Sequence, residues 1–162
     1  LIGITLAFLS LGLFHPTVQH ENQVEINASV EKSYTIFMND SLRSEWLIGY
    51  VGYEILSGTP NTAGFRSLIK FENEDQSYEM IEEVKNIKEN ENYIFNMKTE
   101  LFSGTVEIYF EGNEDNTTMK VYSNIYGSNL FYRSMFYLMK SIFQKQSQMN
   151  YELLKKVIEN HK

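Results

Sequence analysis

From Thr17 onward apolar positions recur at every second residue in short segments, and after Asn129 they recur at every third or fourth. Val18, His20, Asn22, Val24 and Ile26 share one face of a predicted strand, which ends at Asn27-Ala28-Ser29. Ser29 is placed to cap a helix whose apolar side is Val30, Tyr34 and Phe37. Asn39-Asp40-Ser41 breaks that helix, and a second short helical piece, 42–47, carries Trp46. Further strands are expected over 49–57, 64–72, 77–87, 92–99, 104–111 and 117–126. The connections Asn73-Glu74-Asp75, Lys88-Glu89-Asn90-Glu91, Leu101-Phe102-Ser103 and 112–116 are too short for crossover helices, so neighbouring strands must be antiparallel. Phe131, Met135, Leu138, Ile142, Met149, Leu153 and Val157 then mark one long helix running to near Lys162, predicted to bury this stripe on the sheet. Tyr132, Phe136, Met139 and Phe143 form a second stripe beside the first. The fold class expected is α+β: a curved antiparallel sheet of six to seven strands around a long C-terminal helix, with two short helices after the first strand.

The segment before this pattern differs in kind. Residues 1–14 carry no charge and place apolar side chains on every face of a helix, which suits lipid or complete burial. Such a helix rises only about 21 Å, short of the roughly 20 residues that span a bilayer. Three readings compete: part of a membrane anchor, the apolar stretch of a cleaved signal, or an amphipathic helix of the domain itself. Small residues of the Ala-x-Ala kind are missing before His15-Pro16, and no single polar face exists, so an uncleaved anchor is the expectation. It divides the chain into an apolar leader, 1–16, and a domain, 17–162. No Lys or Arg precedes Lys32, which leaves the domain free to face outward from a membrane; a cytoplasmic location is the alternative.

Charge and composition narrow the chemistry. A net charge of −7 with scattered basic residues argues against nucleic acid as a partner. There is no cysteine, so thiol nucleophiles and zinc thiolate sites are excluded. Histidines stand only at positions 15, 20 and 161, no metal-ligand spacing or cofactor-binding motif occurs, and the serines have no evident histidine partner. Any catalysis must rest on carboxylates, Arg or Tyr. In the 77–87 strand, Glu79, Ile81 and Glu83 share one face and Met80, Glu82 and Val84 the other, so a Glu of raised pKa pointing inward is one candidate acid. Only Arg43, Arg66 and Arg133 could clamp an anionic group. Gln146 interrupts the helix stripe between Ile142 and Met149, where a polar group needs a partner. The 11 Phe, 11 Tyr, one Trp and seven Met supply either an aromatic core or a lined cavity.

The order of elements, with the strand-into-helix start Val24-Glu25-Ile26-Asn27-Ala28-Ser29-Val30, resembles the helix-grip fold of the SRPBCC superfamily, which includes START lipid-transfer domains, birch-pollen-allergen-like proteins and polyketide cyclases. The superfamily's start has Ala-Pro before the helix; here Ser29 stands in place of the proline. The stretches 52–58, 78–84 and 139–147 are similar to an uncharacterised bacterial branch, some members of which carry an apolar leader. The resemblance covers about 19–162. It implies a cavity for an apolar or amphipathic ligand and no particular reaction. Trp46, Tyr53, Tyr126, Met139 and Phe143 are then the expected apolar lining, with Gln146 as a polar contact. The function this implies is non-catalytic binding or carriage of an apolar small molecule or lipid, with membrane association through residues 1–14. The alternatives are a cyclase- or hydrolase-like enzyme using a cavity Glu or Tyr, and a protein-interaction or stress-response module.

Overall fold

The computed structural model describes residues 2–73 and 76–161, Ile2 by its backbone alone; Leu1, Lys162 and the turn expected at Glu74-Asp75 lie outside the described residues. Helix α1 (Ile2–Phe14) leads into strand β1 (Thr17–Ile26), helix α2 (Val30–Phe37), a single 3-10 turn (Asp40–Leu42) and the one-turn helix α3 (Arg43–Trp46). Strands β2 (Tyr50–Ser57), β3 (Arg66–Asn73), β4 (Gln76–Lys88), β5 (Asn92–Lys98), β6 (Phe102–Gly112) and β7 (Thr117–Gly127) follow, and helix α4 (Leu130–Asn160) closes the chain. Side-chain caps set the helix starts: Ser29 Oγ accepts from the Lys32 amide at 3.2 Å, and Asn129 Oδ1 accepts from the Tyr132 amide at 3.1 Å.

All seven strands form one antiparallel sheet in the order β1-β7-β6-β5-β4-β3-β2. Short connections dictate the meander from β2 to β7, and only the return of β7 to β1 joins strands distant in sequence. Alternation decides what each strand turns inward: every even-numbered residue of β1 from Val18 to Ile26 is buried, as is every odd-numbered residue of β7 from Thr117 to Gly127. Phe102 and Ser103, expected in a turn, extend β6 instead because they pair with Gly127 and Tyr126. Under α2, Ser33 Oγ donates to Thr117 Oγ1, which donates to the Ala28 carbonyl, so this buried junction leaves no hydroxyl unpaired.

The seating of α4 differs from the sequence expectation. Of the stripe predicted to be buried, Phe131, Leu138, Ile142 and Met149 are more than half exposed and Met135, Leu153 and Val157 are half-buried against the core, whereas Phe136, Leu154 and Ile158 are buried. Polar contacts explain the rotation. Asn22 Nδ2 donates to the Gln144 carbonyl at 3.0 Å and to Gln148 Oε1 at 2.9 Å. Gln144 and Gln148 in turn donate to the Glu21 and Gln23 carbonyls on the open edge of β1. These contacts cover an edge strand whose backbone would otherwise be unpaired, and they fix which flank of the helix meets the sheet.

Candidate functional site

Helix α4 packs on β1, β7 and the three other helices, and its Phe136 meets Phe102 of β6 edge-on at 5.9 Å. At the far limb of the sheet, inward-facing residues keep exposure: Tyr53 and Met80 are half-buried, and Ile55 and Tyr78 are exposed. On helical period Met139 and Gln146 lie on the flank of α4 turned from β1 toward this limb, while Met135 packs on the cluster of Val18, Ile125 and Phe136. The Ile48 amide, donating to Asn150 Oδ1 at 3.3 Å, ties the start of β2 to that side of the helix. On this face the inward residues of β3, Ser67, Ile69 and Phe71, are buried, and exposure is kept along its margins at Tyr53, Ile55, Tyr78 and Met80.

At its base sits a buried polar cluster. The inward parity of Met80, Glu82 and Val84 carries the Glu82 carboxylate into the interior, where only 5% of the residue is exposed. Tyr93 of β5 donates to Glu82 Oε1 at 2.9 Å, and Arg43 Nη1 stands 4.0 Å from the same oxygen. Arg43 Nε also faces Asp40 Oδ1 at 3.6 Å, and its guanidinium lies 5.7 Å over the Tyr50 ring. Burial pushes the Glu82 carboxyl above the ordinary carboxylate range, and Arg43 and the Tyr93 hydroxyl pull it back only in part. Burial likewise raises Tyr93 far above an ordinary phenol, with Glu82 adding to the effect. Burial opposes the charge on Arg43, yet Glu82 and Asp40 together hold the guanidinium firmly protonated.

Trp46 completes the cluster. Three residues after Arg43, it falls on the same side of α3 and packs in the chain of rings Trp46–Phe37–Tyr93, with centroids 5.7 and 5.5 Å apart. Its Nε1 is buried and has no hydrogen-bond partner. An unsatisfied buried donor costs about 1–3 kcal/mol, a cost that an acceptor atom brought into the site would remove. The cluster therefore offers a carboxyl inclined to hold its proton, a phenol, a fixed cation and an unpartnered indole N–H. Such an arrangement can bind the polar end of an otherwise apolar molecule, and Glu82 can also deliver a proton.

The residues expected to line a cavity are divided by the structure. Trp46 is buried beside Arg43, and Tyr53 is half-buried on the inner face, edge-on to Phe65 at 6.3 Å. Met139 is half-buried on α4, and Phe143 packs on Phe136 at 5.4 Å within a smaller core at the other end of the sheet. Gln146 is exposed, and it is Gln144 and Gln148 that bond the sheet backbone. Tyr126 faces outward, because the inward residues of β7 are odd-numbered, and its ring lies 4.1 Å under the Arg133 guanidinium. Glu79 is exposed on the outer face, and of the paired alternatives Glu82 is the inward one. Tyr93 pairs with Ile87, and only the bulge between Val84 and Asn86, which changes the parity of β4, puts it on the same face as Glu82; plain counting across the hairpin puts the two on opposite faces. The sheet also has an open concavity of about 950 Å³ lined by Leu68, Phe71, Tyr78, Ile81, Leu101 and Phe102, with Lys70, Glu79 and Lys98 among its charged residues.

No family model matches the chain, and no curated protein matches it. Solved structures do. An aromatase/cyclase from Streptomyces is similar over 88% of this chain and 94% of its own, with TM-score 0.72 and 7% identity. A conserved protein from Geobacillus kaustophilus is similar over 87% and 95%, with TM-score 0.70 and 14% identity. Norcoclaurine synthase from Thalictrum flavum, solved with dopamine and hydroxybenzaldehyde, is similar over 90% and 88%, with TM-score 0.66 and 14% identity. The chain has the helix-grip fold, and its structural neighbours are birch-pollen-allergen-like proteins of the SRPBCC superfamily.

Proposed function

We propose that residues 17–162 form a binding domain for an apolar or amphipathic small molecule, held between the inner face of β2–β4 and the Met139–Gln146 flank of α4. Its polar end meets Glu82, Tyr93, Arg43 and Trp46. The observation that carries this reading is the buried, unpartnered Trp46 Nε1 beside the Glu82–Tyr93 pair. Norcoclaurine synthase, of the same fold, was solved with small aromatic molecules, which is consistent with it. The test is native mass spectrometry of the protein expressed in its own host and gently extracted. A copurified apolar molecule at near-unit stoichiometry, lost in Trp46→Phe and Tyr53→Ala, is the expected result. An empty protein that takes up nothing from a panel of fatty acids, isoprenoids and aromatic ketones overturns it.

Glu82 favours a second reading, a cyclase- or hydrolase-like enzyme in which its proton is delivered to a bound substrate. Incubation of the copurified molecule with fresh protein then yields a product of altered mass. Glu82→Gln retains binding and abolishes that change, whereas a molecule returned unaltered by the native protein supports carriage alone.

A further inference from the structure

We infer that the bound molecule is neutral and presents a hydrogen-bond acceptor of the carbonyl class, a ketone oxygen on an apolar body, to the indole N–H of Trp46. This rests on the binding reading above and names the class of its ligand. Trp46 is only 5% exposed, and its Nε1 has no partner. The other polar groups of the cluster are engaged: Tyr93 donates to Glu82 Oε1 at 2.9 Å, and the Arg43 guanidinium is shared by Glu82, Asp40 and the face of Tyr50. Among the described residues the other buried side-chain atoms without a partner are His20 Nδ1 and Asn22 Oδ1, which belong to β1. What the cluster lacks is one acceptor. A water meets that need poorly, because a buried water is held by two to four hydrogen bonds and a single group here is unpartnered. An oxygen carried on an apolar body is held by that body and needs only the one bond. The indole is set among rings, with Phe37 at 5.7 Å and Tyr93 beyond it, where such a bond is stronger than in water.

Charge narrows the class. Arg43, the cation of the cluster, already faces two carboxyls, Glu82 at 4.0 Å and Asp40 at 3.6 Å. A carboxylate brought in would be a third acid beside one cation. An ammonium would stand against Arg43 and would bring donors to a group that requires an acceptor. A hydrocarbon leaves the buried N–H unsatisfied. A ketone oxygen satisfies it and adds no charge to the interior.

The test uses four probes of similar shape, acetylnaphthalene, ethylnaphthalene, naphthoate and naphthylethylamine, each added to the 162-residue chain. Trp46 is the sole tryptophan, so the protein has a single indole N–H cross-peak in its heteronuclear spectrum. Acetylnaphthalene should move that peak downfield and bind about fivefold or more tightly than ethylnaphthalene by native mass spectrometry. Naphthoate and naphthylethylamine should bind more weakly than the ketone. Trp46→Phe keeps a ring without the N–H, and should bring the ketone down to the affinity of the hydrocarbon while leaving the hydrocarbon's affinity unchanged. Equal binding of ketone and hydrocarbon by the native protein, with the cross-peak unmoved, overturns the inference and leaves the binding domain standing. Tightest binding by naphthoate or by the amine does the same. A nuclear Overhauser contact from the indole proton to a long-lived water, retained when the ketone is added, assigns the N–H to that water and also overturns it. Uptake of none of the four probes overturns the inference together with the reading on which it rests.

Discussion

Placing a carboxylate in the interior of β4 costs several kcal/mol unless charge and hydrogen bonds compensate, and at Glu82 the nearest cation is 4.0 Å away. Its pKa in the folded protein lies above that in the unfolded chain. The stabilisation that goes with its bound proton is therefore full below the ordinary carboxylate range and is lost as pH rises through the raised value. Glu82→Gln keeps an acceptor for Tyr93 and cannot ionise, so its urea midpoint relative to the native protein should improve from pH 4.5 to pH 8. Arg43→Met removes the counter-ion and should cost about 3 kcal/mol near neutrality, and less in acid where Glu82 is protonated. His20 has the opposite sign. Burial, and then Lys140, lower its pKa below the model-peptide value of 6.5, its Nδ1 lacks a partner, and Ser147 Oγ, Asn22 and Ser123 share its buried surroundings. Its contribution is present above pH 6.5 and disappears as pH falls through the lowered value, so His20→Gln should flatten the acid limb of the stability profile. Lys140→Met should move the His20 titration upward, as followed by its imidazole resonances.

Among the elements, strands were far more legible in the sequence than the orientation of α4. In β1 and β7 the alternation of Val, Ile and Met with polar residues fixes the inward face, and short turns force antiparallel pairing. Tyr126 escaped because its aromatic ring suggested lining, although the aliphatic residues of β7 already assign its parity to the outside. In α4 two apolar stripes lie side by side, so periodicity alone could not choose between them; Gln144, Ser147 and Gln148 chose, by meeting β1. That choice leaves room for α1 on the remaining flank, and the contact is sensitive to a single methyl. Gly12→Val should displace α1 from α4, exposing the chain near Pro16 to limited proteolysis and removing the His15–Tyr137 contact from nuclear Overhauser spectra. The fluorescence of Trp46, the sole tryptophan, lies in the core beyond α4 and should be unchanged.

For the molecule as a whole, the question is whether the two limbs of the sheet are equally filled. Near β1 and β7, α4 packs directly, and Val18, Ile125 and Phe136 are buried with Met97 at their margin. At β2–β4 the inward residues Ser67, Ile69 and Phe71 of β3 are buried, whereas Tyr53, Ile55, Tyr78 and Met80 on the flanking strands retain exposure, and the face ends on a buried polar cluster. This asymmetry could not be read from composition, because an aromatic core and a lined cavity use the same residues. It has a consequence for mutation. Enlarging a side chain in a close-packed interior costs about 1–3 kcal/mol, so Met80→Trp would be damaging if the inner face of β4 were filled. Met80 is half-buried, so the larger ring has space toward the margin of the face, and the substitution should cost less than about 1 kcal/mol by urea unfolding. It should at the same time abolish uptake of the apolar ligand, as read by native mass spectrometry, because Met80 stands beside Ile69 of β3 on the face proposed to hold the ligand. A large loss of stability would mean the limb is packed. Unchanged uptake would mean the ligand does not pass over Met80, and would remove the inner face from the binding path.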